Sequence, residues 1–326
     1  MSMEKALRKQ CNTQGVALLL YKLIMNVMVT LVTVVMAMVS LTGRITPEDD
    51  MQSILSKATE AVSSAATSGW GYLLTILLGI ICLLMWKKPR YIRQELLKKG
   101  RPMGLSSFFT VLCLFMGVQL LSQLGVALMH AIMRSFGKDL YAYMASTSVN
   151  TSDISMFFYV GLAAPVFEEI VFRGLLMRSI EPYGQRLAIV LSALLFGLYH
   201  GNPVQTPYAF LVGLVLGYVA MEYNILWAMV LHMFNNLIFA DTIPRLLMDL
   251  PARMADGIVY ALMAIFTIVA VILLGIKQKQ VVQQLIKDRL YRWQWRSVFI
   301  SPWMLILFGV CILEMALYVF MIFITT

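Results

Sequence analysis

Glu168 and Glu169 stand side by side in Phe167-Glu168-Glu169-Ile170-Val171-Phe172-Arg173, and the chain's three histidines are His130, His200 and His232. On a helix Glu169 and Arg173 are four residues apart with the acid N-terminal to the base, the favoured orientation for mutual neutralisation. Glu168 points about 100° away and has no partner in its own helix. Brought near His200 and His232, such a carboxylate can hydrogen-bond an imidazole or hold a water, and burial raises its proton affinity toward that of a general base. Asn236 lies four residues after His232 on the same helical face, so an imidazole and an amide project together and can donate hydrogen bonds to an oxyanion. Each residue also has a structural reading. Glu169 and Arg173 can be a simple brace, Glu168 a protonated core acid, and the histidines, Asn235 and Asn236 interhelical hydrogen bonders. Two carboxylates, two histidines and an amide in three nearby segments point to a reactive site.

The elements that must position these groups are apolar. The 326 residues are 60% hydrophobic and 13% charged, whereas soluble domains approach 25% charged. Nine runs are long and apolar enough to be candidate membrane spans, at about 15–41, 69–86, 104–133, 154–177, 187–201, 206–221, 224–240, 257–276 and 302–325. The expected fold is all-α, a polytopic membrane helical bundle of about 8–9 transmembrane helices forming a single domain over 1–326. The runs at 187–201 and 206–221 are short, and Gly201-Asn202-Pro203 with Pro207 predicts a tight turn at or within membrane depth. At about 1.5 Å per residue, Glu168, His232 and His200 sit roughly 14, 12 and 21 Å from the inner ends of their runs, so tilt or kinks let all three meet.

With the N-terminus inside, the inner segments hold 18 Lys and Arg and the outer segments 6, which predicts a cytoplasmic N-terminus and an outside C-terminus. That distribution accounts for the net charge of +9 as topological signal beside an anionic inner leaflet and excludes a nucleic-acid partner. The longest polar connection, 42–68, predicts a short amphipathic helix over Asp49 to Ser64, and Lys277 to Arg296 has the composition of a surface helix. Cys11, Cys82, Cys113 and Cys311 show no metal-ligand spacing and read as small hydrophobes. The compact chain without an organelle-targeting extension suggests a bacterial cell membrane.

In this setting Glu168-Glu169-x-x-x-Arg173, Phe196-x-x-x-His200 and His232-x-x-x-Asn236, in that order, resemble the motifs of the CAAX protease and bacteriocin-processing (CPBP or Abi) family of intramembrane glutamate endopeptidases. The resemblance covers roughly 150 to 240, the expected catalytic core. It implies a membrane-enclosed cavity and peptide-bond hydrolysis without a required metal. Glu168 would be the general base on the attacking water, with His200 orienting that water and shuttling the proton. His232 and Asn236 would stabilise the oxyanion, while Glu169 and Arg173 support the site. The implied partner is a membrane-associated peptide or protein, either a leader or bacteriocin-type peptide or a CAAX-type C-terminus.

Three rival readings remain. One Glu and two His can complete a catalytic zinc site, although a metal would leave Asn236 without a task and there is no His-Glu-x-x-His helix. A transporter could use the same groups as a proton relay, although no internal repeat is present. A non-catalytic scaffold or immunity protein could retain the fold alone.

Overall fold

The computed structural model describes residues 2–86, 91, 96–98, 100–147, 151, 153–276 and 289–325. Among them the chain is helical throughout, with no strand. The helices are α1 (Met3–Leu41), α2 (Met51–Thr67), α3 (Trp70–Trp86), α4 (Leu105–Ser135), α5 (Leu140–Ser146), α6 (Ile154–Tyr183), α7 (Gln185–Tyr199), α8 (Gln205–Glu222), α9 (Ile225–Leu247), α10 (Ala252–Ile276), α11 (Arg292–Phe299) and α12 (Pro302–Thr325). All nine apolar runs are helices. Six of them (α1, α4, α6, α9, α10 and α12) are long and apolar enough to cross a bilayer, and the pair α2 and α3, bent by 48°, makes a seventh if taken as one span. The protein is an integral membrane protein. The remaining runs, α7 and α8, fall short: α7 has only 15 residues, and α8 carries Gln205, Thr206, Pro207 and Glu222 at its ends.

The helix ends meet in two groups. At one end the Ser297 and Ser301 hydroxyls donate to the Glu4 and Arg8 carbonyls, Lys98 pairs with Glu181, and Arg101 pairs with Glu222. At the other end the Gly69 amide donates to Ser155 Oγ, Lys138 donates to the Phe323 carbonyl, and Arg245 Nη2 donates to Thr151 Oγ1 at 3.0 Å. Lys and Arg predominate in the segments of the first end. The expected helix over 42–68 is α2, capped by Asp50, whose side chain accepts from the Ser53 amide at 2.8 Å. Of the expected surface helix, 277–288 lies outside the described residues, and its remainder leads into α11 under α1.

The centre of the bundle is α6 to α9, flanked on one side by α1, α3 and α12 and on the other by α4 and α10. Lipid takes the outer faces: Leu23, Val27 and Leu31 on α1, Ile268 and Val271 on α10, and Leu313 and Leu317 on α12 are exposed, as hydrocarbon permits but water does not. The two helices of the α7–α8 hairpin pack closely along their length. Gly197 makes this possible, because a Cβ there would meet the Thr206 carbonyl oxygen at 2.7 Å. The turn between them stops inside the bundle. Gly201, at φ +60°, abuts Glu314, twelve residues or about 18 Å into α12, and Val204 shares an apolar cluster with Leu140, Tyr143 and Ile322. The expected tight turn at Gly201-Asn202-Pro203 is present.

Candidate active site

Helix α6 is irregular where the chemistry lies. It opens on Asp153, whose carboxylate accepts from the Met156 amide, and contains π-helical stretches at Tyr159–Ala163 and Ile170–Met177 on either side of the turn carrying Glu168 and Glu169. Pro165 follows the first stretch and cannot supply an amide to the ladder. Wide turns expose carbonyls that have no water to bond in a membrane, and side chains take them. Asn236 Nδ2 donates to the Val160 carbonyl at 2.8 Å, Ser192 Oγ to Phe172 at 2.8 Å, and the Tyr91 hydroxyl to Gly174 at 2.6 Å. Gly161 lets α9 approach closely, since a Cβ there would lie 2.3 Å from Leu237 Cδ2 and that side chain would have to shift.

Glu169 and Arg173 are both wholly buried, and Arg173 Nη1 donates to Glu169 Oε1 at 2.8 Å. The guanidinium lies 4.3 Å from the centroid of the Phe196 ring and also reaches the Gly213 carbonyl, so one cation ties α6 to α7 and α8. The pair is a triad. His232 Nδ1 lies 2.9 Å from the same Glu169 oxygen, and because a carboxylate only accepts, Nδ1 carries the hydrogen. His232 Nε2 is thereby aimed at Glu168, 3.7 Å from its Oε2. Glu168 retains 29% side-chain exposure while Glu169 has none, which separates the reachable carboxylate from the structural one.

His200 ends α7. Its Nδ1 lies 2.7 Å from the Phe196 carbonyl, so Nδ1 donates and the neutral ring keeps Nε2 as an acceptor. His200 and His232 stand edge-on to the same Phe196 ring, with centroids at 5.0 and 5.7 Å. Glu168, Glu169, Arg173, His200 and His232 are thus gathered around Phe196. Asn236 is held differently. Its Nδ2 goes to α6, and its Oδ1 accepts from Asn235 Nδ2 at 3.0 Å. Asn235 in turn accepts from Gln119 Nε2 of α4 at 2.6 Å and from the Tyr208 hydroxyl of α8 at 3.0 Å. That network fixes the Asn236 amide and, among the described residues, leaves its second N–H uncommitted. Gln119 and Tyr208 were not among the sequence candidates; a buried glutamine in an apolar run was the available signal. Among the described residues, no three His, Cys, Asp or Glu side chains are grouped so as to hold a metal ion.

Beside this cluster lies a largely apolar cavity of about 690 Å³ between α1, α3 and α6, lined among others by Tyr21, Gly79, Phe167, Val171 and Trp303. Tyr21 packs on Phe167, the residue before Glu168, with centroids 5.6 Å apart, so an aromatic pair lines the cavity next to the carboxylate's position in the chain.

Residues 150–238 match the family model described as type II CAAX prenyl endopeptidase Rce1-like. The match spans the region that carries all three motifs, within the CPBP family expected from them. It suggests a CAAX-type intramembrane protease acting on membrane-associated protein substrates. No curated protein and no solved structure matches the chain.

Proposed function

We propose that this protein is an intramembrane endopeptidase in which Glu168 activates water. The observation that supports it best is the His232 bridge: one imidazole is fixed by the buried Glu169–Arg173 pair and presents its other nitrogen to the part-exposed Glu168. Glu168 takes a proton from the attacking water as its oxygen bonds to the scissile carbonyl carbon, and that proton then passes to the departing amine as the C–N bond breaks. His200 accepts the water's second hydrogen at Nε2 and so orients the attack. The oxyanion is met by the free N–H of Asn236 and by His232 Nε2 in its protonated form, whose charge is balanced by the carboxylates on either side. Glu169 and Arg173 are the support of the site and touch no substrate.

Residues 150–240 form the catalytic core, and the remaining helices place it within one membrane domain over 1–326. The end rich in Lys and Arg faces the cytoplasm, which puts the N-terminus inside and the C-terminus outside, in a bacterial cell membrane. The substrate is a membrane-associated peptide or protein, with a CAAX-type C-terminus favoured by the matched family over a leader or bacteriocin-type peptide. Glu168→Gln is expected to abolish release of peptides that wild type produces, as read by comparative membrane peptidomics. Equal peptide profiles from the two would overturn the reading. Cleavage that survives a strong chelator supports a metal-independent reaction, and loss restored by zinc would transfer the assignment to a metalloprotease.

A further inference from the structure

Lys22 and Glu314 are ionisable groups inside the membrane that the chemistry above does not use. Lys22, ten residues beyond Asn12 on α1, would be expected to extend toward the inner surface. It turns into the bundle instead. Its Nζ lies 2.7 Å from Glu314 Oε2 of α12, off the line of a hydrogen bond, and donates to the Tyr199 carbonyl at 3.0 Å. It also lies 4.3 Å from the centroid of the Tyr199 ring, and the Tyr199 hydroxyl donates to Leu18 one turn back on α1.

Four carbonyls at the end of any helix lack a partner within it. For α7 those of Phe196, Gly197 and Leu198 are met within the hairpin itself, by His200 Nδ1, by the His200 amide with Thr206 Oγ1, and by the Gly201 amide. The fourth, on Tyr199, is met by Lys22, from a helix that lies wholly outside the matched residues 150–238. Glu314 holds the ammonium in place and packs against Gly201 on the far side of His200. A cation at a helix C-terminus is favourable, and more so where no water competes.

We infer that Lys22, held by Glu314, is a positioning residue that closes the end of α7 and fixes the orientation of the His200 imidazole. The inference rests on the peptidase reading for its kinetic consequence but not for its geometry. In full-length protein in detergent, ¹⁵N NMR of the imidazoles should show His200 as a single Nδ1–H tautomer in wild type. In Lys22→Met/Glu314→Met, which removes both charges together and avoids a lone buried ion, that signal should average between tautomers. With a farnesylated, internally quenched peptide ending in a Cys-aliphatic-aliphatic-X sequence, the same variant should lose about 10- to 100-fold in kcat with KM within about twofold.

Lys22→Arg, which keeps a donor, should retain most of both properties. The exchanged pair Lys22→Glu/Glu314→Lys preserves the ion pair but sets a carboxylate against the Tyr199 carbonyl, so it should fail like the double Met variant. That exchange also carries the test if the double Met variant does not fold. A wild-type tautomer signal and wild-type kcat in either double variant would overturn the inference. If wild type and Glu168→Gln are equally inactive on the peptide, the peptidase reading fails, and the imidazole signal decides the positioning claim by itself.

Discussion

Two groups of charges in this protein are built from the same chemistry in opposite surroundings. At the protein surface Asp49 accepts from the Thr46 amide, Ser53 Oγ and Lys57 Nζ around the start of α2. At the centre of the bundle Glu169 accepts from Arg173 and His232 with no exposure at all. Water can replace each bond of the first group, so losing one matters little. No water reaches the second, and removal of one partner leaves a buried charge exposed to hydrocarbon-like surroundings. Nearly equal bond lengths therefore report very different dependence of the fold on the bond.

Glu168→Gln should give the largest change, a loss of about 10²- to 10⁴-fold in cleavage rate with thermal unfolding close to wild type. A folded variant that still cleaves would remove the distinction between the reachable and the structural carboxylate. Arg173→Leu should destabilise by about 3–5 kcal/mol, read as unfolding in detergent. Adding Glu169→Leu should recover much of that stability without recovering cleavage, because His232 Nδ1 then has no acceptor. Recovery of activity in the double variant would show that Glu169 serves Arg173 alone.

Asn235→Ala removes the link between Gln119, Tyr208 and Asn236 and should cost about 1–3 kcal/mol through the buried groups left unpaired, together with a lower kcat. An unchanged kcat would mean that the Asn236 amide does not act on the reacting carbonyl. The smallest effect belongs to the surface group. The Lys57 ammonium, followed by the Thr46 amide and Ser53, holds the Asp49 carboxyl below its ordinary range. Its contribution is therefore present above the unfolded carboxyl pKa of about 3.9 and is lost as pH falls through the lower folded value. Asp49→Asn should therefore lose a little stability at neutral pH, far less than Arg173→Leu because the group is at the surface. In acid it should lose none, since wild type has lost the same contribution there, so the acid limb of the unfolding profile flattens. A large neutral-pH loss would erase the contrast between the two groups.

The helices were legible because hydrocarbon demands long apolar runs whose backbone bonds close within each run. The Glu169–Arg173 pair was legible because four residues on a helix return to the same side, and it held although α6 widens into a π-helix from Ile170 onward. The same periodicity set Asn236 beside His232, yet in the structure the two anchor to different parts of α6, Val160 and Glu169. Spacing alone lets Lys22 extend along its own helix toward the inner surface, and instead it finds a partner 292 residues away. Nothing in the spacing of either residue encodes that meeting.

The sequence by itself determined the membrane setting, the helical class, the uneven charge of the two ends and the separation of Glu168 from its neighbour, because each depends on contacts within a few residues. Only the tertiary structure decided that Glu169 holds His232, that Gln119 and Tyr208 fix Asn235, and that α1 and α12 close the end of the helix bearing His200. Those partners come from different helices, and which faces meet is set by packing, by glycines such as Gly161 and Gly197 that admit a neighbour closely, and by the need to satisfy every polar group out of reach of water.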